Sequence, residues 1–356
     1  MVRPPATLDS APIAREDFTL DGRTVLVTGA TGSFGSAFTR TVLERYDVEA
    51  VRLFSRDELK QSELDRQLGD DRVRLLIGDV RDRERLRMAT RGVDVIVHAA
   101  ALKQVPACEY NPFEAVQTNV IGAENVISAA IDNDVPLTMA LSTDKAVNPV
   151  NLYGATKLCA EKIVAQAGVY AGTGRSRFAS VRYGNVIGSR GSVIQIFKQQ
   201  AETGVVSITD ERMTRFWITL PQAVDFVLSS MGLARGGETF VPKLPSMKIV
   251  DVAAALAPDA ERRVVGIRPG EKLHEVMLTE DEARHSYDLG DRFVIAAHGS
   301  ERGAAPRGEQ LPDGFRYASD TNDVWLDTDA LLAMAETVAP ARRAADRQAA
   351  APGWEA

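Results

Sequence analysis

Short apolar segments rich in β-branched residues alternate with amphipathic segments through the first half of the chain. Because strands buried on both faces form continuous apolar runs, the short segments predict strands of a parallel sheet. The segments between them have the apolar spacing of helices, so the pattern predicts an α/β fold with a doubly wound parallel sheet. The predicted strands are 24-TVLVT-28, 51-VRLFS-55, 73-VRLLI-77, 94-DVIVHA-99 and 137-LTMALS-142.

The clearest of the predicted helices runs from residue 112 to about residue 131. An Asn-Pro pair at 111 and 112 is typical of a helix start, because proline at the first helical position loses no hydrogen bond. One apolar face recurs along this segment, and we expect that face to be buried. Its residues are Phe113, Val116, Val120, Ala123 and Ile127.

The alternation of strands and helices ends near residue 184. From there the segments are shorter and richer in Gly, Pro, Arg and Lys, as in 188-GSRGSV-193 and 242-PKLPSMK-248. We therefore expect a smaller region that covers the carboxyl edge of the sheet. The predicted parts are a flexible N-terminal extension at 1–20, a sheet domain at 21–184, the smaller region at 185–298, and a partly mobile C-terminal extension at 299–356.

Composition excludes several classes of function. The chain has 356 residues and a net charge of -7, which argues against nucleic acid as a main partner. No apolar run reaches the roughly 18 residues that span a membrane, and the N-terminus lacks the apolar core of a signal peptide. Two cysteines, Cys108 and Cys159, fit a reducing compartment, and the four histidines lack metal-ligand spacing. We therefore expect a cytoplasmic protein without a metal site.

The segment 29-GATGSFG-35 directly follows the first predicted strand and precedes a helix. Glycines at this spacing permit a tight turn and let the backbone approach a pyrophosphate, which then lies at the helix N-terminus. Asp79 and Val80 end the third strand, where an adenine ring usually lies. The strand, loop and helix together predict a dinucleotide-binding sheet of the Rossmann type.

The end of the second strand bears on which dinucleotide is bound. Enzymes that prefer NAD commonly have a carboxylate there, which holds both ribose hydroxyls. This chain has Ser55 and Arg56, followed by Asp57 and Lys60. A hydroxyl and two cations suit the 2′-phosphate of NADP, so we favour NADP over NAD. The alternative is that Asp57 binds the ribose and the cations are solvated.

Tyr153 and Lys157 follow the fifth strand and stand four residues apart, which places them on one helix face. Lys157 can hold the nicotinamide ribose, and its charge favours the ionised tyrosine, so we expect a lowered tyrosine pKa. A phenolate can take the proton from a sugar hydroxyl as hydride leaves the same carbon. Thr143 can hydrogen-bond that hydroxyl. This combination indicates a short-chain dehydrogenase/reductase.

Asp144 and Lys145 lie beside Thr143, where a simple redox reaction needs neither. Once carbon 4 of a hexose is a ketone, the hydrogen on carbon 5 becomes acidic. A neutral Lys145 can remove it, while a protonated Asp144 assists departure of the carbon 6 hydroxyl as water. Burial can shift both pKa values in the required directions. The alternative is a buried ion pair that stiffens the loop.

Longer motifs carry a resemblance to a known family. From about residue 24 to 296 the chain resembles the inverting UDP-N-acetylglucosamine 4,6-dehydratases, extended short-chain enzymes that begin pseudaminic acid and related sugar pathways. The motifs are 29-GATGSFG-35, 55-SRDELKQSE-63, 78-GDVRD-82, 98-HAAALKQVP-106, 142-STDKAVNPVNLYGATK-157, 182-RYGNVIGSRGSV-193, 212-RMTRFWIT-219 and 267-IRPGEKLHE-275.

The resemblance implies a role for each matching position. It implies that Lys145 is the base at carbon 5, Asp144 the acid at carbon 6, and Tyr153 the base for the carbon 4 hydroxyl, with Lys157 orienting the cofactor. Implied cofactor contacts are Gly29, Thr31, Gly32, Ser33, Phe34, Gly35, Ser55, Arg56, Lys60, Asp79, Val80, Ala99, Lys103, Tyr153, Lys157 and Val186. Implied contacts of the UDP-sugar are Lys103, Tyr153, Asn185, Arg190, Arg215, Arg268 and Glu271.

The resemblance also implies UDP-N-acetylglucosamine or a close UDP-sugar as substrate, tightly bound NADP, and a homo-oligomer. The chain departs from the expected pattern at Ala30, at Gln104, where His is frequent, and at Cys108. Three alternatives remain open at this stage: a retaining dehydratase, a UDP-sugar 4-epimerase, and a non-catalytic dinucleotide sensor.

Overall fold

A computed structural model of the protein describes residues 18–172, 174–189, 191–297 and 308–336. The strands in chain order are β1 (Thr24–Thr28), β2 (Ala50–Ser55), β3 (Val73–Ile77), β4 (Val95–His98), β5 (Leu137–Leu141), β6 (Arg177–Val181), β7 (Asn185–Ile187), β8 (Val205–Ile208), β9 (Thr214–Thr219), β10 (Thr239–Pro242), β11 (Ser246–Lys248), β12 (Glu261–Val264), β13 (Val276–Leu278), β14 (Ser286–Asp288), β15 (Arg292–Ile295), β16 (Glu309–Gln310) and β17 (Tyr317–Ala318).

The helices are α1 (Ser33–Arg45), α2 (Glu58–Leu68), α3 (Arg83–Ala89), α4 (Val105–Tyr110), α5 (Pro112–Val116), α6 (Gly122–Asp132), α7 (Leu152–Tyr170), α8 (Val193–Ala201), α9 (Leu220–Met231), α10 (Ile249–Leu256), α11 (Glu280–Ala283) and α12 (Thr328–Glu336).

The large sheet has ten strands in the order β16-β14-β15-β10-β6-β5-β4-β1-β2-β3. Strands β3 to β10 along this order are parallel, and the three beyond β10 are antiparallel. Separate hydrophobic clusters pack on its two faces. The predicted α/β fold with a doubly wound parallel sheet is confirmed, and all five predicted strands form within one residue of their predicted bounds.

The predicted helix at 112–131 forms, but not as one regular α-helix. A π-helical turn at Gln117–Ile121 joins α5 to α6. Ala123 and Ile127 are buried as predicted, whereas Phe113 is 84% and Val116 37% exposed, so the prediction of a buried face was wrong at these two residues. The wider turn changes the angle between successive side chains, so a 3.6-residue period does not describe both halves.

The π-helical turn also directs Asn119 toward the loop that follows β4. Its side-chain amide accepts a hydrogen bond from Leu102 N at 2.8 Å and donates one to Leu102 O at 2.9 Å. It also donates to the hydroxyl of Thr156 on α7 at 3.0 Å. Asn119 therefore ties the loop after β4 to the helix that carries Tyr153 and Lys157.

The chain after residue 184 forms two kinds of structure. Part of it builds a three-stranded sheet, β11-β9-β7, and a two-stranded sheet, β12-β8, with a hydrophobic core of their own. Another part returns to the large sheet as β10, β14 and β15. The predicted boundary at residue 184 therefore does not separate the large sheet from the rest. Among the described residues, no helix has both the length and the apolarity needed to cross a membrane.

Candidate active site

Two neighbouring cavities lie along the glycine loop at the carboxyl ends of the parallel strands. The catalytic cavity, of about 440 Å³, is lined by the residues after β5 and the start of α7. The adenosine cavity, of about 600 Å³, is lined by the residues after β2 and β3. Gly29, Gly32, Ala99 and Ala101 line both, so the two cavities adjoin at the loop where a pyrophosphate is expected.

The glycine loop leaves no room for side chains at two positions. Gly29 has a φ of +67°, and a Cβ there would lie 2.8 Å from Ala100 Cα. A Cβ on Gly35 would lie 2.6 Å from the carbonyl oxygen of Gly29. Helix α1 begins directly after this turn, at Ser33. The close approach of backbone to backbone and the helix N-terminus fit a pyrophosphate.

The adenosine cavity contains both cations and carboxylates. Arg56, Asp57, Lys60 and Asp79 all line it. Lys60 Nζ pairs with Asp57, whose side chain also caps α2 by accepting from Lys60 N. Arg56 Nη1 lies 3.9 Å from Asp79 Oδ2. Each cation faces one carboxylate, so the charges at this end do not distinguish NADP from NAD. Thr31, Ser55 and Val80 also line this cavity.

The predicted acid and base, Asp144 and Lys145 (the catalytic pair), lie in a short 3-10 turn at Asp144–Ala146, directly after β5. Helix α7 packs closely against this turn, because a Cβ on Gly154 would lie 2.1 Å from the carbonyl oxygen of Lys145. The helix begins at Leu152, and the side chain of Asn151 caps it by accepting from Gly154 N at 2.8 Å. The turn and the helix therefore hold Lys145 and Tyr153 beside one another.

A chain of hydrogen bonds links the predicted catalytic residues. Tyr153 and Thr143 line the same cavity, and Thr143 Oγ1 donates to Asp144 Oδ1 at 2.8 Å. Lys145 Nζ donates to the same oxygen at 3.1 Å. Asp144 is fully buried, and its Oδ2 has no hydrogen-bond partner in the part of the chain that the structure describes. The structure thus brings together Tyr153, Thr143, Asp144 and Lys145.

The pKa shifts of Asp144 and Lys145 agree only in part with those expected from the sequence. Burial raises the pKa of Asp144, as an acid at carbon 6 requires. Burial alone would lower the pKa of Lys145, but the carboxylates of Asp144 and Glu275 outweigh it and raise the pKa. The expectation that burial makes Lys145 neutral is therefore wrong for the protein without substrate, because that reasoning ignored the nearby anions.

The expected lowering of the Tyr153 pKa is also wrong. Burial raises the pKa of Tyr153 to about 12, and Lys145 is the strongest charge that acts to lower it. Lys157 was expected to supply this charge, but its Nζ donates to the carbonyl oxygen of Leu141 at 2.6 Å, and burial lowers its pKa to about 8. Both side chains still line the catalytic cavity.

Sequence reasoning missed Glu275, which faces the catalytic pair from the segment before β13. Its Oε1 lies 3.5 Å from Lys145 Nζ and 3.7 Å from Arg215 Nε. The other carboxylate oxygen lies 3.6 Å from Lys272 Nζ. Glu275 ends the motif 267-IRPGEKLHE-275, but nothing in the sequence relates this motif spatially to the turn after β5.

Only some of the predicted substrate-binding residues line one of the two cavities. Lys103 and Asn185 line the catalytic cavity, as does Val186 of the cofactor set. The Oδ1 of Asn185 is buried and accepts no hydrogen bond from any described residue, which suits a residue that binds a ligand. Arg190 lies outside the described residues. The others do not line either cavity: Arg215, Arg268 and Glu271.

The buried Arg215 has donors that are already engaged. Its Nη1 donates to the carbonyl oxygens of Thr214 and Leu273, and its Nη2 donates to that of Lys272. Arg268 forms an exposed ion pair with Glu271 at 3.8 Å. A direct contact between Arg215 and a UDP-sugar therefore requires these hydrogen bonds to change.

Several side chains complete the catalytic cavity. Tyr183 was not predicted, yet it lines the cavity and stacks on Phe34 with ring centroids 6.3 Å apart. Gln104 also lines the cavity, and the buried Cys108 packs in one cluster with Tyr153. His98 has a structural contact, because it is buried and its Nδ1 hydrogen-bonds to Thr28 Oγ1 at 2.8 Å. The remaining predicted cofactor residues along this cavity are Gly32, Ser33, Phe34, Gly35 and Ala99.

The chain is similar to one protein-family model and to several known proteins over most of its length. Residues 25–297 match the family model described as polysaccharide biosynthesis protein. An inverting UDP-N-acetylglucosamine 4,6-dehydratase of Campylobacter jejuni is 47% identical over 88% of this chain and 97% of its own length. A UDP-glucose 4-epimerase of Rickettsia conorii is 42% identical over 78% of this chain and 84% of its own. The X-ray structure of Pen from Bacillus thuringiensis superposes with a TM-score of 0.83 at 35% identity, covering 90% of this chain and 98% of that one.

Proposed function

Because the chain belongs to the polysaccharide biosynthesis protein family and, within it, to the inverting UDP-N-acetylglucosamine 4,6-dehydratases, we propose that it catalyses their reaction. It converts UDP-N-acetylglucosamine to UDP-2-acetamido-2,6-dideoxy-β-L-arabino-hex-4-ulose, with loss of water and inversion of carbon 5. The enzyme is a lyase of the hydro-lyase class. The observation that carries this proposal is the hydrogen-bonded pair of Asp144 and Lys145 next to Thr143 and Tyr153.

The cofactor is a nicotinamide dinucleotide, which the glycine loop and α1 would hold at its pyrophosphate. When bound, it accepts hydride from carbon 4 and returns hydride to carbon 6, so no net oxidation occurs. We propose NADP as the dinucleotide, with Ser55, Arg56 and Lys60 around its 2′-phosphate. The pairing of each cation with a carboxylate is compatible with this, because a phosphate can replace Asp57 and Asp79 as the anionic partner.

The protein's own residues move the protons. Tyr153 takes the proton of the carbon 4 hydroxyl, which Thr143 orients. Elimination then needs a free electron pair on Lys145 and a proton on Asp144. Transfer of one proton from Lys145 Nζ to Asp144, whose nearer oxygen is 3.1 Å away, supplies both states without changing the net charge of the pair.

In the elimination, Lys145 Nζ takes the proton from carbon 5, and the C–H electrons form the double bond to carbon 6. The bond between carbon 6 and its oxygen breaks, and Asp144 gives that oxygen a proton, so water leaves. The pair ends as ammonium and carboxylate. A proton that reaches carbon 5 from the face opposite to the one it left gives the inverted product.

Contacts of the UDP-sugar are part of the same proposal. Lys103 and Asn185 are assigned to the sugar end, because both line the catalytic cavity. Arg190, Arg268 and Glu271 are assigned to the nucleotide, and Arg215 acts there only if it exchanges its backbone partners. We also propose a cytoplasmic homo-oligomer, which rests on the family resemblance alone.

Proton NMR of the purified protein with UDP-N-acetylglucosamine in heavy water, without added cofactor, tests the function. We expect a new methyl signal from carbon 6, deuterium at carbon 5, and ring couplings of the inverted sugar. This outcome also requires cofactor retained through purification. If the methyl signal appears only after NADP or NAD is added, dehydration stands and tight binding is wrong.

The 42% identity to a UDP-glucose 4-epimerase favours one second candidate, a UDP-sugar 4-epimerase. That reaction uses Tyr153 and Thr143 but has no role for an acid and a base at carbons 5 and 6. Accumulation of UDP-N-acetylgalactosamine without a methyl signal would establish epimerisation. A methyl signal with the couplings of an uninverted ring would establish the retaining dehydratase.

A further inference from the structure

Glu275 is a carboxylate placed within the protein interior, 3.5 Å from the ammonium of Lys145. Its side chain is only 3% exposed, and its Oε2 has no hydrogen-bond partner among the described residues. Taking a carboxylate out of water is costly unless cations compensate for it. Three cations surround it: Lys145, Arg215 and Lys272.

Two of these cations are themselves held in place by backbone carbonyl groups. Arg215 donates to three carbonyl oxygens of its own and the neighbouring segment. Lys272 Nζ donates to the carbonyl oxygen of Val147, directly after the catalytic turn. The backbone N–H of Glu275 donates to Ser319 Oγ at 2.9 Å. The position of Glu275 beside Lys145 is therefore set by contacts that do not involve Lys145 itself.

The two carboxylates that contact Lys145 differ in their pKa. Burial raises the pKa of Asp144. Burial also acts to raise the pKa of Glu275, but Lys145, Arg215 and Lys272 outweigh it and lower the pKa, so Glu275 stays ionised. Glu275 in turn repels a second negative charge on Asp144. Separated pKa values in a pair of carboxylates indicate an acid and a permanent anion.

Resting on the proposed function, we propose that Glu275 is the positioning residue of the elimination step. It accepts an N–H of Lys145, so that the nitrogen electron pair of the neutral amine faces the sugar, and it stabilises the positive charge that Lys145 gains from carbon 5. An amine has several rotatable N–H donors and one electron pair, so an acceptor on one side defines the direction of the base. The titratable groups that face Lys145 in this arrangement are Asp144, Glu275, Arg215, Tyr153 and Lys272.

A positioning role for Glu275 and a purely structural role predict effects on different steps of the reaction. Oxidation of carbon 4 depends on Tyr153 and Thr143, neither of which contacts Glu275 in any described hydrogen bond or ion pair. Water loss depends on Lys145. Removal of the Glu275 charge should therefore slow water loss while oxidation continues, so that the ketone and reduced nicotinamide accumulate before the methyl product forms.

The test uses Glu275→Gln, which keeps the shape and removes the charge. In single turnovers of the holoenzyme, the near-ultraviolet absorbance of reduced nicotinamide reports oxidation, and the carbon 6 methyl signal reports water loss. We expect oxidation within about threefold of the unaltered protein and water loss slower by about 100-fold. Glu275 acts to raise the pKa of both Asp144 and Lys145. Loss of this anion therefore lowers the pKa values of the pair, so the pH profile of water loss should move about one pH unit lower.

Glu282→Gln is the matched control, because Glu282 lies seven residues further along the same segment and pairs with Arg182 instead. It should leave the pH profile unchanged. Glu275→Asp keeps the charge but retracts it, so we expect an unchanged pH profile with a reduced rate. That variant also decides the matter if Glu275→Gln does not fold: an unaltered rate in Glu275→Asp overturns the proposal.

Equal slowing of oxidation and water loss in Glu275→Gln, with an unshifted pH profile, would assign Glu275 a structural role only. Failure of the proposed function gives a different result, because the unaltered protein would then form no methyl product at all.

Discussion

The two ends of the candidate site hold the same kinds of charge in opposite surroundings. In the adenosine cavity, the side chains of Arg56 and Lys60 are 58% and 50% exposed, and their ion pairs with carboxylates are in contact with solvent. At the catalytic cavity, the carboxylates that contact Lys145 lie behind the cavity wall, where Asp144 is fully buried and Glu275 nearly so. Exposed pairs contribute roughly 0–1 kcal/mol and exchange partners readily. Buried charges must be compensated by fixed neighbours, so their arrangement is informative about chemistry.

The largest effect is expected when the proposed base at the buried end of the site is removed. Lys145→Ala should slow water loss by at least about 1,000-fold, because no other described amine is hydrogen-bonded to Asp144. Oxidation of carbon 4 should persist, so reduced nicotinamide is expected to accumulate. The carbon 6 methyl signal and the nicotinamide absorbance measure the two steps. Lys162→Ala, an exposed change on α7, is the control, and full water loss in Lys145→Ala would show that Lys145 is not the base.

A smaller effect is expected when charge is removed from the exposed end. The double change Arg56→Ala with Lys60→Ala should weaken NADP binding by about 100-fold and NAD binding by less than about threefold. Dissociation constants from titration of cofactor-stripped protein at two salt concentrations measure this. Arg66→Ala, also exposed and on α2, is the control. Equal weakening of both dinucleotides would contradict the assignment of these cations to a 2′-phosphate.

A buried group of charges that lines neither cavity should affect the stability of the protein and not its activity. Arg182 Nη2 pairs with Glu161 at 2.6 Å and Glu282 at 2.7 Å, away from both cavities. We expect Glu282→Gln to lower the free energy of unfolding by about 1–3 kcal/mol and to leave activity within about twofold. Chemical denaturation and the methyl assay measure the two quantities.

The same pair gives a pH dependence with a defined sign. Burial acts to raise the pKa of Glu282, but Arg182 outweighs it and lowers the pKa below the ordinary value of 4.5. The stabilisation is therefore present above that value and is lost as the pH falls through the folded-state pKa. The difference in unfolding free energy between the two proteins should shrink below about pH 4.5. A constant difference down to acid unfolding would contradict this account.

The smallest effect is expected for an exposed pair outside the site. Arg45 Nη1 lies 2.5 Å from Asp225 Oδ1, and about half of each side chain is exposed. Arg45→Ala should change the free energy of unfolding by less than about 1 kcal/mol, and high salt should abolish the difference. Denaturation at low and high salt measures it. A larger, salt-independent loss would mean that a short distance alone predicts strength, which undermines the contrast between exposed and buried charge.

The fold and much of the site follow from local sequence patterns. Apolar runs predicted β1 to β5. The strands β1, β4 and β5 are buried throughout, so their sequences have no polar face, whereas β3 at the sheet edge is mostly exposed. The glycine loop and the segment from Thr143 to Lys157 are also contiguous, so their spacing specifies which side chains meet. The predicted buried face of the helix at 112–131 was wrong at Phe113 and Val116, because the π-helical turn changes the angular period without a clear sequence signal.

The sequence alone determined the sheet, the phosphate loop, and the residue types available for acid, base and cofactor-orienting roles. Tertiary structure alone decided their protonation. It brought Glu275 against Lys145 from a distant segment, and the carboxylates of Asp144 and Glu275 together raise a lysine pKa that burial by itself would have lowered. The physical reason is that a pKa depends on all charges within a few ångströms, whereas a sequence pattern records only neighbours along the chain.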